Sequence, residues 1–260
     1  MFCCKLLVKV YVLTILLGNL KASEHGFHRQ KRIVGGSPAN ISDFPFQLSL
    51  QLDGVHKCGA ALISDTWAIT TGYCVRHTAT ERISLRAGTA VREEGGVVSA
   101  AKNIVLHALY DEVHTDYDIA AVQVETAFLL GENIQPVSLP TQDEDVVPGM
   151  IGVVAGWGTT QFGIPGYTKN LLKVEVPIIS NDDCNSRYQF FGRVNSRMIC
   201  AAYEEDGKDS CQGDNGGPLM VQGKVQGLVS WAIGCGRADY PHVYTRVAFF
   251  RDWIRNATGV

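Results

Sequence analysis

The chain has 260 residues, of which 46% are hydrophobic and 19% are charged. A sequence of this size and apolar content can bury one large core and is not that of a disordered chain. After residue 32, its 17 Lys and Arg face 25 Asp and Glu, and this net charge of −8 argues against nucleic acid and anionic membranes as partners.

The chain begins with a segment that is typical of a secretory signal. Lys5 and Lys9 precede an apolar run over residues 10–17, and small residues follow from Ala22. A membrane anchor is the competing interpretation, but the apolar run is much shorter than the roughly 20 residues that span a bilayer. We therefore expect residues 1–22 to be removed and the protein to be secreted into the extracellular space.

Six cysteines remain once Cys3 and Cys4 are assigned to the expected signal. An even number in an exported chain indicates disulfides, and six cysteines permit 15 pairings that spacing alone does not separate. A zinc site is the alternative, but the six form no Cys-x-x-Cys pair. We expect three disulfides, no metal and no cofactor. The six are Cys58, Cys74, Cys184, Cys200, Cys211 and Cys235.

Short apolar stretches separated by Gly, Pro, Asn and Asp indicate an all-β protein. Residues 46–52 alternate with period two, and further strands are predicted at residues 67–69, 151–155 and 225–229. Many short strands together with 27 glycines favour a barrel or a sandwich. Apolar side chains then recur at helical spacing, which predicts one amphipathic helix over residues 247–257.

Two motifs rich in small residues give the strongest functional signal. They are Thr70-Thr71-Gly72-Tyr73-Cys74 and Gly213-Asp214-Asn215-Gly216-Gly217-Pro218, with Asp118-Ile119-Ala120 between them. Together they resemble the active-site motifs of the trypsin-like serine proteases, and the resemblance covers residues 33–260 almost completely. It implies two packed six-stranded antiparallel β-barrels, the first over residues 33–140 and the second over 141–246, with the C-terminal helix packed on the second barrel.

The resemblance places the three catalytic positions of that family at Tyr73, Asp118 and Asn215. In such a site a serine hydroxyl attacks the substrate carbonyl, a histidine removes its proton, and a buried carboxylate orients the histidine. Tyr73 stands where the histidine is expected, and Asn215 stands where the serine is expected. A carboxamide is no nucleophile, and a phenol, with a reference pKa of about 10, accepts a proton poorly at neutral pH. We therefore expect a catalytically inactive homologue, for which an inactivated arthropod or mite paralogue is one candidate subgroup.

Other histidines and serines are not expected to restore this triad. A general base must reach within about 3 Å of the nucleophile, which would require a large loop shift even for a histidine four residues after Tyr73. The two candidate serines match family positions with structural roles. The side chains considered are His56, His77, His107 and His114 as bases, and Ser210 and Ser230 as nucleophiles.

A zymogen junction is also implied by the resemblance. Ile33-Val34-Gly35-Gly36 follows Arg32, and in this family a cut before the isoleucine frees an ammonium that pairs with an aspartate at the position of Asp214. The basic run over residues 29–32 fits a dibasic processing site, whereas the alternative is an exposed charged tail. We expect residues 23–32 to be a propeptide.

The substrate pocket of the family is expected to be altered. Asp209 matches the pocket-floor carboxylate that gives trypsin its preference for Lys and Arg, but Ala232 and His242 replace glycines at the mouth and the wall. We expect His242 to fill the pocket near Asp209, the alternative being that it points to solvent. The backbone amides of Gly213 and Asn215 are expected to keep an oxyanion-hole-like arrangement, unless they only form a tight turn.

Disulfide pairing and surface modification complete the expectations. The resemblance selects Cys58–Cys74, Cys184–Cys200 and Cys211–Cys235, each expected to stabilise the fold by about 3 kcal/mol in the chain-entropy model. Asn40 and Asn256 begin sequons and are expected glycosylation sites. Glu93 and Glu94 lie where some relatives bind calcium, and we interpret them as a solvated turn.

These expectations combine into a secreted monomer that works by binding a protein partner, such as a protease, an inhibitor or an immune factor. An active trypsin-like endopeptidase is the main alternative. A storage or egg-coat protein that uses an inert protease fold is a third interpretation, and it predicts self-association.

Overall fold

A computed structural model describes residues 36–160, 162–163, 166–188, 194–203 and 209–260. The expected signal, the propeptide and the junction of Arg32 with Ile33 lie outside these ranges. Within them, no helix has the length and apolar character needed to cross a membrane.

The first half of the described chain forms a closed six-stranded antiparallel barrel. After a two-residue strand β1 (Ser37–Pro38), its strands are β2 (Gln47–Leu52), β3 (Val55–Leu62), β4 (Trp67–Thr70), β5 (Ile83–Ala87), β6 (Val97–Leu106) and β7 (Ala120–Val124). They pair in the order β2-β3-β4-β7-β6-β5, and β5 closes onto β2. Leu48, Leu50 and Leu85 are fully buried, so the apolar positions of β2 and β5 supply its core.

The second half forms a second barrel of the same kind. Its strands are β8 (Ile151–Gly156), β9 (Leu172–Ile179), β10 (Met198–Ala201), β11 (Pro218–Val221), β12 (Lys224–Trp231) and β13 (His242–Arg246). They pair in the order β9-β10-β13-β12-β11-β8, and β8 pairs with β9 to close the sheet. The predicted all-β fold of two six-stranded antiparallel barrels is therefore confirmed. Strand β1 pairs with β9, so this part of residues 33–140 lies on the second barrel and not on the first.

Three α-helices are described, namely α1 (Gly72–Val75), α2 (Asn181–Tyr188) and α3 (Arg251–Thr258). The predicted C-terminal helix is present, but residues Val247–Phe250 form a 3-10 turn before α3 begins. Gly259 follows α3 with a φ of 80°, the left-handed conformation that commonly ends a helix. The 3-10 turn contacts β12, whereas α3 contacts β7. The expectation that this helix packs on the second barrel was thus incomplete, because the 3-10 turn and α3 together contact both barrels.

The three expected disulfides are confirmed. Cys58–Cys74, Cys184–Cys200 and Cys211–Cys235 have Cα–Cα distances of 6.1, 6.3 and 5.3 Å. The first joins β3 to α1 and the second joins α2 to β10. The third joins Cys211, which precedes the Asn215 turn, to Cys235, which follows β12. Two of the three therefore fix loops that carry the expected catalytic positions.

The two barrels approach each other closely at glycines. A Cβ on Gly59 of β3 would lie 2.6 Å from the Cα of Gly217, and a Cβ on Gly216 would overlap the hydroxyl of Thr70. Gly216 also has a φ of +77°, which L-residues with side chains rarely adopt. The amide of Gly59 donates to the carbonyl of Asn215 over 2.8 Å. These contacts hold the Asn215 turn of the second barrel against β3 of the first.

Candidate functional site

The carboxylate expected to orient a histidine lies at the junction of the two barrels. Asp118 is only 2% exposed and precedes β7. Its Oδ1 accepts a hydrogen bond from the backbone amide of Tyr73 (2.9 Å) and its Oδ2 accepts one from the hydroxyl of Ser230 (2.5 Å). Burial raises the pKa of Asp118 to about 6, although these two hydrogen bonds act in the opposite direction. The carboxylate therefore retains a polar shell without an imidazole.

Tyr73 reaches Asp118 through its backbone amide, and Arg76 covers its partly exposed ring. The residue is 41% exposed on α1, and the guanidinium of Arg76 lies 4.7 Å from the centre of its ring. Arg76 also donates to the hydroxyl of Tyr110 (3.2 Å) and pairs with Glu112 (2.8 Å). The ring is thus part of a surface cluster with Arg76, Tyr110 and Glu112.

The carboxamide of Asn215 is engaged by its own barrel. Its Nδ2 donates to the carbonyl of Ser230 over 2.6 Å, while its backbone carbonyl accepts the amide of Gly59. Ser230 therefore contacts both degenerate positions, with its hydroxyl on Asp118 and its carbonyl on Asn215. The hydrogen-bond pattern holds the turn in place, but no hydroxyl is available at position 215 to attack a carbonyl.

The turn before Asn215 keeps the geometry of a backbone donor site. Gly213 has a φ of +96°, and a Cβ there would lie 2.7 Å from the ring of Tyr167. Among the described residues, the amides of Gly213 and Asn215 donate to no other group. Two backbone N–H groups in such a turn can stabilise an oxyanion. This arrangement is compatible with the expected oxyanion-hole-like pair.

His56 supports this turn, a role that sequence reasoning did not assign to it. Its Nε2 donates to the carbonyl of Gly213 over 3.0 Å, and its Nδ1 lies 2.8 Å from the hydroxyl of Ser49, which donates to it. Burial lowers the pKa of His56 to about 4, which the bond to Gly213 partly offsets, so the ring is neutral at physiological pH. A buried neutral imidazole with both nitrogens occupied is a structural support for the turn and not a free base.

Glu93 and Glu94 lie in an exposed turn between β5 and β6, as expected, and Glu93 also contacts β3. Its Oε1 accepts the backbone amide of His56 (3.0 Å) and pairs with Arg92 (2.6 Å). Glu93 also has a φ of 64°, an uncommon conformation for a residue with a side chain. Glu94 is also exposed, and it pairs with Lys169 (3.2 Å). The interpretation as a solvated turn is therefore confirmed, and the contact of Glu93 with a buried β3 residue is an addition that sequence spacing does not show.

Asp214 is a buried carboxylate held by backbone amides. It is 1% exposed, its Oδ1 accepts from Gly158 (2.8 Å) and its Oδ2 accepts from Cys211 (2.9 Å). A Cβ on Gly156 or Gly158 would overlap this carboxyl group, so both glycines are required for its approach. Burial raises the pKa of Asp214 to about 6. No Lys, Arg or His of the described ranges forms an ion pair with it. Arg32 and Ile33, the expected source of an activating ammonium, lie outside those ranges.

The expected pocket holds a polar cluster around Asp209. His242, the first residue of β13, is 4% exposed, and its Nδ1 lies 3.1 Å from Oδ1 of Asp209. The hydroxyl of Ser210 lies 3.1 Å from the same nitrogen, and the amide of Gly236 donates to Oδ2 of Asp209 over 3.0 Å. Ala232 is half-buried beyond the end of β12. The imidazole of His242 thus lies at Oδ1 of Asp209, and the amide of Gly236 lies at Oδ2.

The remaining candidate bases lie in other contacts. His77 pairs with Glu112 (2.9 Å), His114 pairs with Asp111 (2.7 Å), and His107 stacks on the ring of Tyr117 with centroids 4.9 Å apart. The candidate nucleophiles Ser210 and Ser230 bond to the pocket cluster and to Asp118, respectively. Sequons begin at Asn40 and Asn256, which are both exposed. No group of three or more His, Cys, Asp or Glu side chains that could hold a metal occurs in the described part of the chain.

Comparisons with known proteins identify the family to which the chain belongs. The family model described as Trypsin matches residues 33–254. The chain is 41% identical over 231 residues to Trypsin 5G1 of Aedes aegypti, covering 88% of this chain and 86% of that protein. It is 37% identical over 238 residues to Trypsin Blo t 3 of Blomia tropicalis, covering 90% and 89%. It is also 35% identical over 234 residues to Transmembrane protease serine 11G of Mus musculus, covering 88% of this chain but 56% of that protein. The chain belongs to the trypsin family of serine proteases.

Proposed function

We propose that this chain is a secreted, catalytically inactive member of the trypsin family that acts by binding another protein. The pair of side chains at the triad positions carries the proposal, because Asn215 offers a carboxamide and Tyr73 offers a phenol in place of a serine hydroxyl and a histidine. In another serine protease, loss of the serine or the histidine alone lowers kcat about 2 × 10⁶-fold. Loss of both leaves proteolysis negligible, so the retained fold serves recognition.

The pocket supports the same proposal independently of the triad. His242 is buried beside Asp209 and interacts with the oxygen that would otherwise face an incoming cation. A Lys or Arg side chain would have to displace the imidazole and break this contact. We therefore propose that the pocket is closed to the substrates that trypsin prefers, and that partners bind outside it.

Processing before Ile33 is part of the proposal. The buried carboxylate of Asp214 accepts two amides, and burial raises its pKa, so a cation brought to it would be strongly favoured. A newly freed ammonium at Ile33 would supply that cation. We propose that cleavage after Arg32 orders the chain for binding, in the way that cleavage orders an enzyme for catalysis.

An active trypsin-like endopeptidase is the second candidate. The relatives in Aedes aegypti and Blomia tropicalis are named trypsins, and Asp118 together with the glycine turn is retained here. This candidate needs a nucleophile and a base that are not among the described contacts of Tyr73 and Asn215.

Peptide hydrolysis by the processed protein distinguishes the two candidates. The protein should be produced with an engineered cleavage site before Ile33, and the new N-terminus should be verified by mass spectrometry. We expect no inhibitor-sensitive hydrolysis of Lys or Arg peptides or of a pool of mixed peptides. The triple variant Tyr73→His, Asn215→Ser, His242→Gly is the positive control. Turnover by the unaltered protein at more than a trace of the triple variant's rate would establish the endopeptidase.

A further inference from the structure

The asparagine that stands at the serine position creates a dipeptide with a chemistry of its own. Asn215 is followed by Gly216, and this is the one Asn-Gly pair in the 260-residue sequence. Asparagine is a thermolabile residue, and it deamidates most readily before glycine, because glycine has no side chain to hinder attack by its backbone nitrogen. The turn at the centre of the candidate site therefore contains a pair of residues that can modify themselves covalently.

The reaction requires the backbone nitrogen of Gly216 to meet the carboxamide carbon of Asn215. Water or hydroxide removes the amide proton of Gly216, and the nitrogen then forms a bond to Cγ of Asn215. The bond from Cγ to Nδ2 breaks, and Nδ2 leaves as ammonia after it takes up a proton. Hydrolysis of the resulting succinimide ring consumes one water and leaves aspartate or isoaspartate at position 215. Both groups must therefore be free to turn toward each other.

In the folded chain, hydrogen bonds direct both groups elsewhere. The amide of Gly216 donates to the carbonyl of Val229 over 2.7 Å, and Nδ2 of Asn215 donates to the carbonyl of Ser230 over 2.6 Å. Both acceptors belong to β12, so one strand holds the attacking nitrogen and the leaving group in place. Ring closure requires the two hydrogen bonds to break together.

The contact between the barrels restricts the backbone of the same turn. The carbonyl of Asn215 accepts the amide of Gly59 over 2.8 Å. Gly216 has a φ of +77°, and a Cβ there would overlap the hydroxyl of Thr70, so the first barrel packs directly against this residue. Backbone rotation at Gly216 would have to break these contacts as well. The reactive geometry is therefore accessible only after the turn has separated from β3 and β12.

We propose that Asn215-Gly216 is a deamidation site that the folded chain protects, and that its conversion prevents the turn from closing again. A carboxylate at position 215 has no proton to donate to the carbonyl of Ser230, so that buried acceptor loses its partner. It also adds a negative charge beside Ser230, whose hydroxyl donates to the buried carboxylate of Asp118. Isoaspartate in addition lengthens the backbone by one methylene at the contact with Gly59. Opening of the turn followed by deamidation is thus irreversible.

Peptide mapping by mass spectrometry tests the protection, because deamidation raises the mass of the peptide that contains position 215 by one dalton. The folded protein and the same protein reduced and unfolded in guanidinium chloride are incubated in parallel at mildly alkaline pH. We expect deamidation at Asn215 to be about 100-fold slower in the folded protein, because two hydrogen bonds have to break together. Equal rates in the two samples would overturn the proposal.

Two cysteine variants show whether the protection resides in the turn. The disulfide Cys211–Cys235 joins the segment before the turn to the segment after β12, whereas Cys184–Cys200 joins α2 to β10. Replacing Cys211 and Cys235 by Ala should speed deamidation at Asn215 about tenfold, the factor that corresponds to one lost hydrogen bond. Replacing Cys184 and Cys200 by Ala is the matched control and should leave the rate unchanged, with circular dichroism to verify that both variants are folded. Equal rates in the two variants would contradict the proposal.

Asn215→Asp reproduces one product of the reaction and tests whether the turn can close with a carboxylate in it. Asn215→Ser is its matched control, because it removes the carboxamide without adding a charge. Hydrogen exchange of the Gly59 amide reports on the closed turn, since this amide donates to the carbonyl of residue 215. We expect that exchange to be about tenfold faster in Asn215→Asp than in Asn215→Ser. Equal protection of Gly59 in both would refute the proposal, and this comparison remains available if the cysteine variants do not fold.

Discussion

Replacing His242 with glycine tests whether this side chain closes the pocket at Asp209. The imidazole is 4% exposed and lies 3.1 Å from Oδ1 of the carboxylate, while Oδ2 accepts the amide of Gly236. Removing one partner of a buried hydrogen-bonded pair leaves the other group unpaired and costs about 1–3 kcal/mol of unfolding free energy. We expect His242→Gly to fold with a clearly lowered melting temperature and an open pocket.

Benzamidine is the probe for that opening, because its planar amidinium carries a positive charge and two donor groups. A hydrogen bond to a charged group contributes about 1.5–3 kcal/mol, so two of them to Asp209 correspond to at least a 100-fold gain in affinity over the unaltered protein. At 100 times its Kd, benzamidine should return about 2.7 kcal/mol of stability to His242→Gly. Thermal unfolding with and without ligand measures both quantities in one assay.

The matched control removes the carboxylate from the same background. His242→Gly with Asp209→Asn should gain nothing from benzamidine, and His242→Ser provides a milder opening if the glycine variant unfolds. Equal stabilisation of the unaltered protein and His242→Gly would show that the imidazole never obstructed the pocket. If His242→Gly folds but benzamidine does not stabilise it, groups other than His242 close the pocket.

The degenerate triad, the buried carboxylate of Asp118 and the α2 disulfide each give a further expectation. Processed Tyr73→His with Asn215→Ser should hydrolyse a small acetyl ester that needs no pocket, and activity in either single variant would contradict the loss of two cooperating groups. Because burial raises the pKa of Asp118 from 3.8 to about 6, the stability that it contributes is full below pH 3.8 and is lost as pH rises through 6. Between pH 4 and 8, the unfolding free energy of the unaltered protein, measured with urea, should fall by on the order of 3 kcal/mol more than that of Asp118→Asn. Equal falls in the two proteins would refute this expectation. Replacing Cys184 and Cys200 by Ala should lower the unfolding free energy by about 3 kcal/mol. An unchanged urea midpoint would contradict this expectation.

Local features of the fold were accessible from sequence because their causes are local. Period-two alternation over residues 46–52 predicted a strand, and β2 occupies Gln47–Leu52. The cysteine pairs followed once the motif around Cys74 suggested a family. The C-terminal helix was also predictable from apolar spacing, but its 3-10 first turn depends on how Val247–Phe250 meet β12.

Features that depend on distant residues were not accessible in this way. Strand β1 consists of two residues, Ser37–Pro38, and only its pairing with β9 shows that it belongs to the second barrel. The support of the Gly213 turn by His56 joins residues that are 157 positions apart, and Glu93 reaches His56 across 37 positions. A lone histidine or glutamate in a sequence carries no sign of such a contact. Burial then determines whether the group is a charge or a neutral hydrogen-bonding partner.

Organophosphate labelling of the processed protein tests the central claim most directly. A fluorophosphonate reacts covalently with a hydroxyl that a neighbouring base activates, whereas position 215 carries a carboxamide and position 73 carries a phenol. Intact-mass measurement should therefore show no adduct on the processed protein, while Tyr73→His with Asn215→Ser gains one phosphonyl group at position 215. An adduct on the unaltered protein, mapped to any residue of the cleft, would contradict the account.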